Sequence, residues 1–320
     1  MQIGHWSDPE AATGCTVLLF PEGAAAGVDV RGSAPGTRET DVLVPGNLVE
    51  RIHAVLLTGG SAFGLDAASG VMAWCEEHGI GFATPAGPVP IVVAAVLYDL
   101  DLGSANRRPG PAEGRAACEA AGRSGPAGEL QGSLGAGTGA TVGRLFGPQY
   151  RMKGGLGVAT GRLPGTGHTM VAVAAVNCVG DVVDPGSGAW IAGAFDRAAG
   201  RPPGVTWSDA PLGPGPRQAT TLAAVVTDLP LTGADLRKVA EMAHDGIARA
   251  VRPAHTLFDG DTVFALSTGR GALYGGLPRA VAVTQAGALA AELVAQAICS
   301  GVLAARSIGG VPAARDVRPD

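Results

Sequence analysis

The 320-residue chain is poor in aromatic and charged residues, which make up 4% and 16% of it. Its 23 Lys and Arg against 28 Asp and Glu give a net charge of −5, and the basic residues form no run. Without a positive patch nothing attracts a phosphate backbone, so no nucleic-acid partner is expected. An apolar content of 46% excludes a disordered binding chain. The composition favours a core-forming protein with a small-molecule ligand.

Paired cysteines, a secretory signal and a membrane span are also missing. The five cysteines include no C-x-x-C pair, which argues against a disulfide framework and a zinc site and predicts buried reduced thiols. The start MQIGHWSDPEAATG has no basic stretch before an apolar one, so we expect a cytoplasmic protein. The apolar segment 286–305 is interrupted by Glu292 and Gln296 and predicts a buried helix rather than an anchor. No metal, cofactor or membrane partner is expected.

Glycine and proline are abundant, at 51 and 23 residues, but show no three-residue period, which excludes collagen. They separate apolar or alternating segments that predict strands at 15–20, 27–32, 53–57, 91–98, 170–184, 220–228 and 261–269. Helical spacing and capping signals predict helices at 61–78, 111–121, 232–253 and 284–305. Strands that are apolar throughout need cover on both faces, so the pattern predicts an α/β (α+β) fold of sheets covered by helices.

A proline-rich segment, 197–218, predicts an exposed loop where a break in the chain would be tolerated. The strand after it opens with Thr220. Threonine is a weak nucleophile, but an N-terminal threonine can use its own amine as the base. An α-amino group has a pKa of about 7.7–8.0 and is partly neutral near pH 7. This chemistry requires a cut before Thr220, and from the residues alone a threonine opening a strand is unremarkable.

Other candidate sites have weaker support. The glycine-rich segments LTGGSAFG and GAGTGATVG suit a phosphate cradle, but neither is a P-loop, and close backbone packing is favoured. The six histidines show no H-x-x-x-H spacing, which argues against a metal site. A G-x-S-x-G segment is absent, which disfavours an α/β-hydrolase.

Eight segments taken together resemble the DmpA/NylC family of self-cleaving N-terminal-nucleophile amide hydrolases. They are HWSDPEAATGCTVLLFPEG, VRGSAPGTRETD, LTGGSAFGLDAASGV, GAGTGATVG, KGGLGVATG, VNCVGD, ATTLAAVVTD and HTLFDGDTVFALSTG, in family order from His5 to Gly269. The family includes β-peptidyl aminopeptidases, the L-aminopeptidase/D-esterase DmpA and 6-aminohexanoate-oligomer (nylon-oligomer) endohydrolases. The resemblance implies one four-layer αββα domain over 1–320 that cuts itself into 1–219 and 220–320. It also implies a homo-oligomer, such as a tetramer of processed heterodimers.

The resemblance also implies roles for particular residues. Thr220 matches the nucleophile that becomes the new N-terminus, and Asn177 matches the residue that helps to hold the oxyanion. Asp259 and Asp261 match the pair that orients the nucleophile and its amine. Their spacing would put both on one face of an extended segment. Without the resemblance, Phe-Asp-Gly-Asp reads as a solvated turn.

Two positions depart from the family pattern. Ala219 stands where the family usually has Asn, although an N-to-O acyl shift at Ala219-Thr220 needs only the carbonyl of the preceding residue. Arg144 stands where a catalytic-site Lys is usual; it keeps the charge but cannot act as a base. Lys153 is near in sequence, with no positional ground to replace it. Phe63 falls where the family places an aromatic residue near the cleft, with core packing as the alternative.

The function implied is hydrolysis of small peptides, β- or ω-amino acid amides or 6-aminohexanoate oligomers through an acyl-enzyme on Thr220. A threonine nucleophile with D-G-D resembles the nylon-oligomer arm more than the aminopeptidase arm. Two alternatives stay open. One is an acyltransferase of the ornithine acetyltransferase type, and the other is an uncleaved, inactive binding protein, because Ala219 replaces Asn.

Overall fold

The computed structural model describes residues 1–121, 130–204, 208 and 218–317. Its strands are β1 (Gln2–Asp8), β2 (Thr13–Val30), β3 (Thr37–Arg38), β4 (Ile52–Thr58), β5 (Phe82–Thr84), β6 (Gly87–Val89), β7 (Val92–Val96), β8 (Thr141–Val142), β9 (Met152–Lys153), β10 (Gly155–Arg162), β11 (Thr169–Asn177), β12 (Asp181–Val183), β13 (Trp190–Ala192), β14 (Thr220–Thr227), β15 (Val251–Arg252) and β16 (Thr262–Ser267). Its α-helices are α1 (Ala67–Glu77), α2 (Pro111–Ala120), α3 (Gly233–Ala250), α4 (Arg279–Ala304) and α5 (Ala314–Val317). Short 3-10 helices span Thr40–Leu43, Ser61–Asp66, Gly135–Gly137, Pro148–Tyr150 and Leu273–Gly276.

The long strand β2 belongs to two sheets. Its first part pairs with β1 and β4 in a sheet ordered β1-β2-β4-β7-β3. Its last part pairs with β16 in a sheet ordered β2-β16-β14-β11-β10. The prediction of two strands joined by a turn was therefore wrong. The register shifts between Leu19 and Ala24, and Gly23 has a φ of 75°, so the chain bends there without reversing.

Three separate hydrophobic cores define the layers. Alternate residues of each strand face opposite sides, so one set of side chains fills the space between the two sheets. That inner core contains Leu18, Phe20, Val55, Leu57, Ala175, Leu222 and Phe264. The core between the first sheet and helices α1 and α2 contains Val17, Leu56, Val71 and Ala117. The core between the second sheet and helices α3 and α4 contains Ala174, Val225, Leu236, Ala290 and Ile298. The predicted αββα order is confirmed.

The predicted helix starts agree with the structure for α3 but not for α1 and α4. Helix α3 begins as predicted, because Thr232 Oγ1 accepts the Asp235 N–H at its first turn. The helix predicted from residue 61 starts instead as a 3-10 turn, and its α-helical part begins at Ala67. Helix α4 begins at Arg279 rather than 284, directly after Pro278. The Arg279 guanidinium lies 2.7 Å from the Asp235 carboxylate, which ties that extra first turn to α3.

Several other predictions concern single residue types or segments. The cysteines are free thiols; Cys15, Cys75, Cys118 and Cys178 are buried, as predicted, whereas Cys299 is only half-buried. Among the described residues no group of His, Cys, Asp or Glu is arranged to hold a metal ion. Most of the predicted proline-rich loop lies outside the described residues, which include 197–204, 208 and 218 from it.

Helix α4 has the length and hydropathy of a membrane-crossing helix, the one such helix in the described part of the chain. In this fold 61% of its most apolar window is buried, and it packs on α3, β10 and β11. The prediction of a buried alanine-rich helix is confirmed. Its approach to β10 is close, since a methyl group added at Gly157 would lie 1.8 Å from the Ala297 carbonyl oxygen.

Substituting Gly157 with alanine should therefore force α4 away from the second sheet. We expect the free energy of unfolding to fall by about 1–3 kcal/mol, as for other overpacked cores. Gly167→Ala is the control, because a methyl group there meets no atom within 4 Å. Thermal denaturation of both variants checks this, and equal melting temperatures would contradict the close packing.

Candidate active site

Three strands bring the predicted site residues to one edge of the second sheet. Thr220 is the first residue of β14, and its partner across the antiparallel pair with β11 is Asn177, the last residue of β11. Strand β16 runs parallel to β14 on its other side, so the segment Asp259–Asp261 before β16 reaches the same edge. Residues far apart in sequence, including Asn177, Thr220 and this acidic segment, are thereby neighbours in the fold.

The peptide bond before Thr220 is held by the segment that carries the two aspartates. Ala219 forms a parallel bridge with Asp259, and its N–H donates to the Phe258 carbonyl at 3.0 Å. The Gly260 N–H donates to the Ala219 carbonyl oxygen, also at 3.0 Å. Thr220 Oγ1 lies 2.5 Å from that oxygen. The hydroxyl is therefore beside the carbonyl it would attack, and that carbonyl already has an N–H donor suited to an oxyanion.

Both aspartate side chains are buried and hydrogen-bonded to neighbouring backbone. Asp259 accepts the Val179 N–H at 3.3 Å with one oxygen, and the Thr256 N–H and hydroxyl at 2.9 and 2.6 Å with the other. Asp261 Oδ1 accepts the Thr221 N–H at 2.7 Å. Within the described residues neither carboxylate is hydrogen-bonded to Thr220 itself. This acidic segment is thus part of the site rather than a solvated turn.

Burial, and next the Asp261 carboxylate beside it, raises the pKa of Asp259 to about 6. Protonated Asp259 loses charge that its three donors need, so we expect self-cleavage of freshly translated chain to slow about tenfold per pH unit below that pKa. The native pKa lies above the ordinary 3.8, so the folded state binds more protons between those values. Protonation of this group alone then stabilises the fold, whereas His5 and His244, whose pKa values burial lowers to about 4, destabilise it on acidification. Circular dichroism at each pH is therefore the check that slowed cleavage is not unfolding.

The pH dependence can be assigned by variant analysis. Asp259→Asn cannot titrate, so its residual cleavage rate should lack the acid limb near pH 6. An unchanged limb in this variant would show that another group is responsible.

Asn177 is fully buried and fixed at both ends of its amide. Its Oδ1 accepts the Thr141 N–H at 2.9 Å, and its Nδ2 donates to the Tyr98 carbonyl at 3.0 Å. An amide nitrogen carries two hydrogens, so this contact leaves one hydrogen for an oxyanion. The rigid placement opposite Thr220 suits the donor role that the resemblance implied.

Arg144 lies in a layer behind the Asn177 contacts. Its Nε donates to Thr141 Oγ1 at 2.8 Å, and its terminal nitrogens lie 3.2 and 3.3 Å from the Asp101 carboxylate. Its guanidinium carbon is 5.9 Å from the centre of the Tyr98 ring. The structure therefore connects Arg144 to Thr141 and Tyr98, the two residues that fix Asn177, and gives it no hydrogen bond to Thr220 in the described chain.

Lys153 and Asp99 are buried charges for which the sequence suggested no role. Lys153 Nζ donates to the Thr138 and Ala140 carbonyls at 2.8 and 2.5 Å, and burial lowers its pKa to about 7. Asp99 accepts the Gly60 N–H at 2.7 Å, and burial raises its pKa to about 6. Asp99 thus binds the backbone of the segment LTGGSAFG, and Lys153 binds the backbone of GAGTGATVG. Because these backbone groups already have protein partners, the contacts support close packing rather than a phosphate cradle.

A cavity of about 120 Å³ opens beside Thr220. It is lined by Ala34, Pro35, Gly36, Ser61, Ala62, Val96, Leu97, Tyr98, Gln218, Ala219, Thr220 and Phe258. Phe63 is not among them; it is 61% exposed and its ring stacks on the Arg108 guanidinium at 4.0 Å. Sequence reasoning missed Tyr98 and Phe258, although Tyr98 ends a predicted strand and Phe258 precedes the D-G-D segment.

A larger cavity of about 670 Å³ lies at the far end of β14, against residues 230–234. None of the residues proposed for catalysis lines it. The candidate active site is therefore identified by the side chains that surround Thr220 and not by the size of the cavity.

Comparison with known proteins identifies the family of this chain. The model of Peptidase family S58 matches residues 1–315. The chain belongs to this family. An uncharacterized aminopeptidase of Mycobacterium tuberculosis is 43% identical, over 100% of this chain and 96% of that protein. The 6-aminohexanoate-oligomer endohydrolase of Paenarthrobacter ureafaciens is 34% identical, over 84% of this chain and 73% of that protein.

Solved structures of similar fold include a β-aminopeptidase of a Burkholderia species, with a TM-score of 0.69 at 22% identity over 99% of this chain and 92% of that chain. The L-aminopeptidase D-Ala-esterase/amidase of Ochrobactrum anthropi is described as a variant of the Ntn hydrolase fold. Its TM-score is 0.71 at 21% identity, over 97% of this chain and 86% of that chain. The S58 membership confirms the DmpA/NylC resemblance. This S58 protein is a hydrolase of peptide or amide bonds.

Proposed function

We propose that this S58 protein cuts its own chain before Thr220 and then hydrolyses amides through an ester on Thr220 Oγ1. The observation that carries the proposal is the contact between that hydroxyl and the Ala219 carbonyl, whose oxygen also accepts the Gly260 N–H. The products would be chains 1–219 and 220–320, held together by the pairing of β14 with β11 and β16.

Self-cleavage uses atoms that are already in place. Thr220 Oγ1 attacks the Ala219 carbonyl carbon, and the Gly260 N–H stabilises the resulting oxyanion. The C–N bond breaks as the Thr220 nitrogen takes up a proton, which leaves an ester between Ala219 and Thr220. Water then hydrolyses this ester, which releases the carboxylate of Ala219 and restores the Thr220 hydroxyl beside the amine that the acyl shift has already freed. Because residue 219 contributes only its carbonyl, alanine at this position removes no reacting atom.

Hydrolysis of a substrate repeats this attack with the free amine as base. The Thr220 amine takes the Oγ1 proton, Oγ1 attacks the substrate carbonyl, and the departing amine receives the proton. A second Asn177 hydrogen supports the oxyanion, and Asp259 with Asp261 holds the ammonium form of Thr220. Water then attacks the acyl-enzyme, releases the acid and restores the hydroxyl.

The lining of the 120 Å³ cavity bears on the substrate. Its described walls carry no charged side chain. A free ammonium next to the scissile bond would lose its hydration there without gaining a partner, whereas a neutral methylene chain would gain by burial. We therefore propose linear oligoamides of ω-amino acids, cut at internal bonds, as the preferred substrates. The 34% identity to the oligomer endohydrolase of Paenarthrobacter ureafaciens supports the same choice, and the 43% identity to a protein named an aminopeptidase makes amino acid amides the substrates to compare with it.

The test compares a 6-aminohexanoate oligomer with an L-amino acid amide and a β-amino acid amide, each with and without an added acceptor amine. We expect oligomer hydrolysis to be fastest and to proceed without the acceptor. Product that forms only with the acceptor would establish the transferase alternative. No turnover of any amide by a chain that stays intact would establish the inactive binding protein.

A further inference from the structure

His255 lies in the turn between β15 and the acidic segment, in an unusual backbone conformation. Its φ is 57°, in the left-handed region that side-chain-bearing residues adopt only at a cost. In this conformation its backbone N–H and its ring Nδ1 reach the same oxygen, Asp261 Oδ2, at 3.1 and 2.7 Å. The strained turn thus directs two donors at one carboxylate.

The other oxygen of the Asp261 carboxylate faces β14, the strand that begins with Thr220. Asp261 Oδ1 accepts the Thr221 N–H at 2.7 Å, and the carboxylate is almost completely buried. A buried carboxylate depends on its hydrogen-bond donors for stability and orientation. His255 supplies two of the three donors seen here, so it determines which way Asp261 faces.

A second histidine restrains the ring of His255. The centres of the His244 and His255 rings are 4.9 Å apart, in an edge-to-face arrangement. His244 is fully buried, and its Nε2 is 3.0 Å from the Asp29 carbonyl oxygen. Because this neighbour is anchored in α3, the His255 ring cannot turn away from Asp261 without disturbing the packing of α3 on β2.

We propose that His255 is a positioning residue that holds Asp261 toward the amine of Thr220. This rests on the proposed function of Thr220. Donation from the backbone N–H and Nδ1 of His255 fixes Asp261 Oδ2, which holds Oδ1 at the Thr221 N–H, next to the N-terminus that cleavage creates. Without this donor the carboxylate rotates, and the amine of Thr220 is held in the right place for only part of the time.

The test uses two substitutions of His255 whose side-chain amides place a hydrogen-bond donor at different positions. Asn in place of His255 puts its amide nitrogen near the position of Nδ1, and asparagine tolerates a positive φ. Gln puts its nitrogen near the position of Nε2 instead. We expect His255→Asn to keep kcat within about threefold of wild type, and His255→Gln to lower kcat at least about tenfold, as for a lost hydrogen bond to a charged group. KM should be unchanged in both.

The control is His168→Gln, because His168 pairs with Asp228 through Nδ1 at 3.2 Å at the far end of β14. It should have wild-type kcat. Equal kcat for the Asn and Gln variants of His255, whether high or low, would overturn the positioning role. Thr220→Ala, assayed in parallel, tests the proposed function separately, since turnover by that variant would overturn the nucleophile rather than the role of His255.

Discussion

Replacing Thr220 with alanine should leave one uncut chain of 320 residues with no amide hydrolysis above background. The substitution removes Oγ1, the atom that attacks both the Ala219 carbonyl and the substrate. Losing the nucleophile of a Ser-His-Asp protease lowers kcat by about 10⁶-fold, and a loss of that order here should leave the residual rate undetectable. Gel electrophoresis follows cleavage, and release of 6-aminohexanoate from its oligomers follows turnover.

Thr221 provides the matched control for this experiment. It is also a buried threonine of β14, and in the described chain its Oγ1 has no hydrogen-bond partner. Thr221→Ala should therefore be cleaved and active, whereas Thr220→Ala should be neither. Cleavage of the Thr220→Ala chain, or equal activity of the two variants, would assign the chemistry to another residue.

Replacing Asn177 should give the second largest effect. Removing one oxyanion donor typically lowers kcat by about 10²–10³-fold. Asn177→Asp is the informative variant, because its oxygen can still accept the Thr141 N–H while the donor is lost. We expect kcat to fall by that factor with little change in KM, since the oxyanion exists only in the transition state.

Asn47→Asp is the control for this loss of an amide donor. Asn47 is exposed and donates to the Asp41 carbonyl, so this variant should keep wild-type kcat. A wild-type kcat in Asn177→Asp would show that neither donor hydrogen of Asn177 is needed and that its Oδ1 contact with the Thr141 N–H is sufficient.

The sequence predicted those elements whose signals are local. Helix α3 has a capping pair, Thr232 and Asp235, before a regular apolar spacing, and the structure places it accordingly. Strand β2 was split in the prediction because proline and glycine at 21–23 usually mark a turn. Whether such a segment reverses the chain or only bends it depends on partners from β4 and β16, which local sequence does not specify.

The site itself was predicted through the resemblance, because its parts are separated in sequence. Thr220 alone reads as a strand start, and the acidic segment alone reads as a turn. Only the pairing of β11, β14 and β16 places them together. The contacts that individual side chains make were still harder to predict from the sequence. Arg144 pairs with Asp101, and Phe63 stacks on Arg108, and neither partner is marked by any motif.

The amine of Thr220 can act as a base only if the bond to Ala219 is cut. Denaturing mass spectrometry of the purified wild-type protein, with N-terminal sequencing of each species, measures this directly. We expect two chains, 1–219 and 220–320, the second beginning Thr-Thr-Leu with a free amine. A single full-length chain that still hydrolyses amides would contradict an N-terminal threonine as the nucleophile.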